Sequence, residues 1–188
     1  MVPSATSFDS LMSYLSQQEG QLPPVEAWDP AYCGEMDLVI KANGEWWHEK
    51  TPIGRKKLYK LFSTIIKKTG DEYFLVTPVE KIKIQVEWQP FVIVDFQLVE
   101  VEGVSCYEFI DNCDNKRLLT QLDQLSFSQF QQQALPIVNI RRNLYASFSR
   151  SCYYRLIEQA DLVECKGGIV LQIKSNGLTF DLGKVRES

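Results

Sequence analysis

Arg55-Lys56-Lys57-Leu58-Tyr59-Lys60-Leu61-Phe62 returns 95 residues later as Arg150-Ser151-Cys152-Tyr153-Tyr154-Arg155-Leu156-Ile157, with an arginine, a tyrosine, a cation, a leucine and an apolar residue in step. Downstream, Phe74 and Val76 fall in register with Ile169 and Leu171. Self-similarity at a fixed offset decides architecture ahead of any local reading. The expected fold is therefore an α+β protein with an internally duplicated core of two subdomains, each copy a helix followed by antiparallel strands. The boundaries that follow are a helical arm and linker over 1–30, a first α+β subdomain over 31–90 and a second over 91–188.

Local signals fill in this frame. Phe8, Leu11, Met12 and Leu15 share one face of a helix over Phe8–Gln18, with Ser7 as its cap, and the arm is expected to pack through Phe8, Leu11 and Trp28. Asn43-Gly44 between Leu38-Val39-Ile40 and Trp46-Trp47 marks a hairpin. Thr51-Pro52 reads as a helix start, with Leu58, Leu61, Phe62 and Ile65 as its buried stripe and Gly70 ending it. Strands are expected at Tyr73–Val76 and Lys81–Val86, and a second hairpin over Phe91–Val101 and Val104–Ile110. Asp111 to Asn115 is a turn cluster, and Gln129 to Gln133 an exposed surface. A helix over Ser149–Leu162 precedes the Gly167-Gly168 turn and strands Ile169–Ile173 and Leu178–Leu182.

Composition sets the outer limits. The 188 residues are 45% hydrophobic and 12% aromatic, enough for a packed core. A net charge of −4 and a pI near 5.1 argue against duplex DNA as chief partner, since phosphate binding calls for a basic excess. Apolar runs fall short of the 18 or so residues of a membrane span, and Met1 to Ser7 lacks the features of a secretory signal. The five cysteines, odd in number and without Cys-x-x-Cys spacing, read as reduced and mostly buried thiols. The expected location is cytoplasmic, with no membrane association.

The chemistry-bearing residues point to binding more than to catalysis. His48 is the single histidine and reads as structural; a Cys33–His48 nucleophilic pair is conceivable but lacks an orienting group. Glu35, Asp37 and Glu80 show no spacing that assigns complementary acid and base roles. Walker and Rossmann glycine loops are missing, and neither a metal nor a cofactor is expected. Arg55 and Arg150 each fall at a helix start, where free N–H groups and the helix dipole favour anions. Two such starts facing one another would form a shared anion site; local pairing with Glu49 or Asp95 is the alternative. Thr77-Pro78-Val79-Glu80-Lys81 puts a hydroxyl, a carboxylate and an ammonium at one bend, which equally suits a plain turn.

Cys33-Gly34 with Asp37, Gly44-x-Trp46, Pro52-Ile53-x-Arg55, Leu61-Phe62, Leu75-Val76-Thr77-Pro78-Val79-Glu80-Lys81, Pro90-Phe91, Arg141, Arg150 and Gly177-x-x-Phe180-x-Leu182-Gly183 together resemble the uncharacterised bacterial family known as domain of unknown function 1285. Trp88-Gln89 and the segment Asp111 to Gln133 depart from its pattern. The resemblance implies a duplicated two-domain core, a C-terminal half superficially like a pleckstrin-homology fold, a ligand site between the halves and a role in signalling through a nucleotide-like ligand. The expected function is a non-enzymatic ligand-binding or regulatory protein. Arg55, Lys81, Arg141 and Arg150 would supply charge, and Thr77, Glu80 and Tyr154 would orient a phosphorylated ligand. The alternatives are a protein-interaction adaptor and a cryptic hydrolase.

Overall fold

Alternation of buried and exposed side chains dominates the chain, and it builds sheets. The computed structural model describes residues 6–17 and 22–185, with side chains from Ser10 onward in the first helix. The chain separates into two units, Met1–Pro90 and Phe91–Ser188.

In the first unit, helix α1 (Thr6–Leu15) seats Leu11 and Leu15, both fully buried, and Tyr14 meets the edge of Trp28 at 5.8 Å. Leu11 of the arm is thus buried, while the ring contact of Trp28 is with Tyr14 of the same arm; the side chains of Ser7 and Phe8, and Gln18, lie outside the described residues. Strand β1 (Tyr32–Ile40) turns Met36, Leu38 and Ile40 inward and Glu35 and Asp37 outward, the period of a half-buried strand. The Asn43-Gly44 turn leads into β2 (Trp46–His48), and β3 (Thr51–Pro52) pairs back on it. Helix α2 (Lys56–Thr64) buries Phe62, on which Trp46 stacks at 6.4 Å. The strands β4 (Ile66–Thr69), β5 (Glu72–Val76) and β6 (Lys81–Val86) form a second meander. The sheet order is β3-β2-β1-β6-β5-β4, two antiparallel meanders joined through a parallel pair, β1 with β6.

The second unit opens with the long hairpin of β7 (Phe91–Val101) and β8 (Val104–Asp111), then β9 (Lys116–Leu118). A 3-10 turn at Leu122–Gln124 leads to β10 (Leu125–Phe130), β11 (Gln133–Arg141) and β12 (Leu144–Phe148). Their order is β10-β11-β12-β7-β8-β9, with β7 and β12 parallel. Helix α3 (Arg150–Ile157) and a separate antiparallel sheet of β13 (Asp161–Cys165), β14 (Gly168–Ser175) and β15 (Leu178–Val185) complete it. Phe109, Phe148 and Tyr153 form a chain of rings at 5.3 and 5.9 Å that ties α3 to the sheet.

The duplication is thus visible in topology. In both six-stranded sheets the first and sixth strands lie side by side and parallel, with an antiparallel meander on either flank. The 95-residue offset does link α2 and its meander to α3 and the strands β13 to β15. The helix, however, opens neither unit.

The expected α+β class with a helix at the head of each copy is corrected accordingly. Fifteen strands stand against three α-helices among the described residues, so the chain is mostly β. The helical period at 55–62 and 150–157 was genuine but short, whereas the strands β9 to β12 fill residues 116–148, where only the surface at Gln129 to Gln133 was expected and no strand. The half expected to be pleckstrin-homology-like is a six-stranded and a three-stranded sheet, with its helix before the last three strands. Thr51-Pro52 forms strand, and α2 begins only at Lys56 and ends at Thr64 rather than at Gly70, with β4 in the stretch between. The later helix stops at Ile157, leaving Leu162 in a strand and 67% exposed. None of the five cysteines is in a disulfide; Cys106, Cys113 and Cys152 are buried, Cys33 and Cys165 exposed. No described helix is long and apolar enough to cross a membrane.

Candidate functional site

Strand pairing collects the best-placed ionic and aromatic side chains of the first unit on one face of its sheet. Residues opposite each other across paired strands share a face. The registers set Tyr32 beside Lys81, Glu35 beside Lys83 and Phe74 beside Lys83. A shallow cleft of about 360 Å³ opens there, lined by Tyr32, Glu72, Phe74, Lys81 and Lys83. The Tyr32 ring stands perpendicular to Phe74 at 6.4 Å.

The two lysines differ in what balances them. Lys83 bonds to Glu72 and lies 3.5 Å from Glu35, and the Glu72 hydrogen bond chiefly drives its pKa upward. The Lys81 ammonium sits 4.6 Å from the centre of the Phe74 ring. Among the described residues it has no carboxylate within ion-pair reach. The ring attracts the cation through its quadrupole but leaves its charge uncompensated.

Its sequence neighbours are spent on structure. Thr77 is buried, its hydroxyl accepts from Glu80 N at 3.1 Å and Val79 N at 3.4 Å, and its own N–H donates to Glu80 O. The Glu80 carboxylate accepts from Ser10 Oγ at 2.7 Å and so ties α1 to this turn. Arg55 is the N-cap residue of α2, one position before the expected first turn, and offers no side-chain cap. It is exposed and makes no ion pair among the described residues, Glu49 included.

The other expected site residues lie in the second unit, in two places. Arg150 donates from Nε to the Tyr154 hydroxyl at 3.3 Å and lies 5.5 Å from that ring's centre, one helical turn along. Asp95 is taken by Arg155 at 2.8 Å rather than by Arg150. Arg141 stacks on Phe91 at 4.8 Å and donates from Nη1 to Asn115 Oδ1 at 2.9 Å. Beneath it Asp111, fully buried, accepts from Cys113 N, Asn115 N and Asn115 Nδ2 at 2.7 to 2.9 Å. Burial pushes the Asp111 carboxyl up, against these hydrogen bonds and the charge of Arg141.

The hydrolytic candidates are not brought together. His48 pairs with Leu38, five residues and roughly 17 Å of strand from Cys33. No group of three metal-ligating side chains occurs among the described residues. Tyr32, Phe74 and Lys83 were missed as site residues. The alternation Lys81-x-Lys83 hinted at a shared face, but the pairing with Tyr32 is non-local and carries no sequence signal.

Comparison with known proteins bears on the whole chain. No curated protein matches it. A crystal structure of a DUF1285 family protein from Silicibacter pomeroyi DSS-3 is similar at 28% identity, covering 93% of this chain and 95% of that one, with a TM-score of 0.77. Another, of a DUF1285 family protein from Shewanella baltica OS155, is similar at 29% identity over 65% of this chain and 91% of that one, with a TM-score of 0.54. The DUF1285 N-terminal domain model matches residues 23–89 and the C-terminal domain model residues 90–182, so the chain belongs to the DUF1285 family, a family of unknown function.

Proposed function

We propose that the protein is a non-enzymatic, cytoplasmic regulatory protein that binds a small phosphorylated, nucleotide-like ligand on the sheet face of its first unit. The observation that supports this is Lys81: an ammonium without a carboxylate partner among the described residues, held over Phe74 in a cleft beside the exposed Tyr32. A phosphate supplies the missing counter-charge, and a planar base suits an aromatic wall. Arg55, at the uncapped start of α2, is a second cation of this unit that carries no ion pair among the described residues. The signalling role implied by the family resemblance belongs to the same reading.

Ligand that binds only the folded state raises stability by about 2.7 kcal/mol at about 100 times its Kd. A panel of nucleotides and sugar phosphates should therefore contain members that raise the melting temperature by several degrees, and Lys81→Ala should abolish the rise. A flat response across the panel sinks the proposal. A rise that survives Lys81→Ala moves the site elsewhere.

A further inference from the structure

An outer strand presents a row of unpaired backbone groups to any other strand, and proteins guard such edges with charge, proline, bulges or brevity. Among the described residues five of the six outer strands are guarded. Strand β3 has two residues, one of them Pro52, and β4 carries Lys67 and Lys68. Strand β9 is three residues with Lys116 and Arg117, and β13 holds Asp161 and Glu164. Strand β15 has Asp181, Lys184 and a register shift against its neighbour.

Strand β10 has no such device. Leu125-Ser126-Phe127-Ser128-Gln129-Phe130 contains neither charge nor proline, and its register with β11 runs unbroken from Leu125 opposite Val138 to Phe130 opposite Gln133. No charged residue occurs between Asp123 and Arg141. Among the described residues the strand is bonded to β11 on one side only, and Phe127 is 45% exposed.

The hairpin turn fixes which groups face outward. Gln131 and Gln132 both have positive φ, 47° and 66°, the two-residue turn whose flanking pair exchanges both hydrogen bonds. Phe130, Ser128 and Ser126 therefore bond to β11, while Leu125, Phe127 and Gln129 direct N–H and C=O to the open edge. Pro136, which has no N–H, stands opposite Phe127, where none is needed.

We propose that β10 pairs antiparallel with β10 of a second copy of this chain, about a two-fold axis through Phe127. In that register Phe127 faces its own copy, Leu125 faces the partner's Gln129 and Ser126 faces the partner's Ser128. The outward groups then exchange about six N–H···O=C bonds. A second copy suits this edge because the molecule carries a net charge of −4 while this segment has none, so the copies meet where no like charges oppose. An acidic or basic peptide gains nothing from an uncharged strand.

Sedimentation of the full chain should show a dimer. Phe127→Lys sets two ammonium groups face to face, and Gln129→Pro removes an outward N–H while sparing the β11 ladder. Each variant, with its circular dichroism unchanged, should raise the dimer dissociation constant at least about tenfold. A hydrogen-bonded antiparallel pair spans about 5.5 Å between Cα atoms, within disulfide reach. In a Cys33→Ser, Cys165→Ser background, Phe127→Cys should give a covalent dimer on oxidation, and Ser126→Cys should not. A chain that stays monomeric at about 100 µM overturns the proposal. So does a dimer indifferent to both edge variants, a monomer that captures a foreign strand on β10, or cross-linking through Ser126→Cys in place of Phe127→Cys.

Discussion

The two six-stranded sheets share one strand order and place their cations in opposite circumstances. In the first, Lys81 stands in an open cleft with, among the described residues, only an aromatic ring against its charge. In the second, Arg141 is committed: it stacks on Phe91, bonds to Asn115 and sits above the buried Asp111. A shared topology therefore says where a side chain can stand and little about whether its charge is available. The loop Asp111 to Asn115 accounts for the contrast, since its carboxylate and amides consume the cation that β11 supplies. The turn Thr77 to Lys81 consumes its hydroxyl and its carboxylate and leaves its ammonium over.

The comparison breaks most readily at Asp111. Asp111→Ala removes the acceptor of three hydrogen bonds and the carboxylate charge that favours Arg141, so denaturant unfolding should reveal a loss of about 3 kcal/mol. Asp111→Asn adds a test by pH. Burial holds the folded carboxyl above its unfolded value, so its contribution is complete below the ordinary aspartate pKa and is lost as pH rises through the raised one. The stability advantage of the wild type over Asp111→Asn should grow as pH is lowered from about 6 to about 4. An advantage that shrinks in acid would show the carboxylate to be stabilised as the ion.

A smaller effect separates the two helix starts. Ser149 caps α3 by accepting from Cys152 N at 3.3 Å, whereas Arg55 gives α2 no side-chain cap. Ser149→Ala should cost about 1 kcal/mol and Arg55→Ser should return a few tenths to about 1 kcal/mol, both read from melting curves. Equal responses would mean that capping does not distinguish the helices. Smallest of all is Lys81→Ala, which should alter stability by about 0.5 kcal/mol because among the described residues that charge meets only the Phe74 ring. A large loss there would place Lys81 with Arg141 as a structural cation.

Much of the first unit was legible because its signals are local: Asn43-Gly44 for the hairpin, the apolar stripe ending in Phe62 and Ile65, and the alternation in β5 and β6. The class was missed where alternation is carried by serine and glutamine, as in Leu125-Ser126-Phe127-Ser128, since uncharged polar residues give a weak strand signal when no pairing partner is visible. The parallel pairs could not be read at all. Nothing in Tyr32 or Lys81 announces the other, so the cleft they line was represented in the sequence by Lys81 alone.

The parallel central pair has a temporal consequence. Tyr32 meets Lys81, and Ile40 meets Val86, across roughly 50 residues of intervening chain. A chain emerging from the ribosome can form its first meander early, yet the open side of β1 waits until β6 has been synthesised. Each sheet is finished by its last strand. Truncation or stalling within β6 would leave the middle of the sheet exposed, a wound in the centre where most folds would fray at the rim.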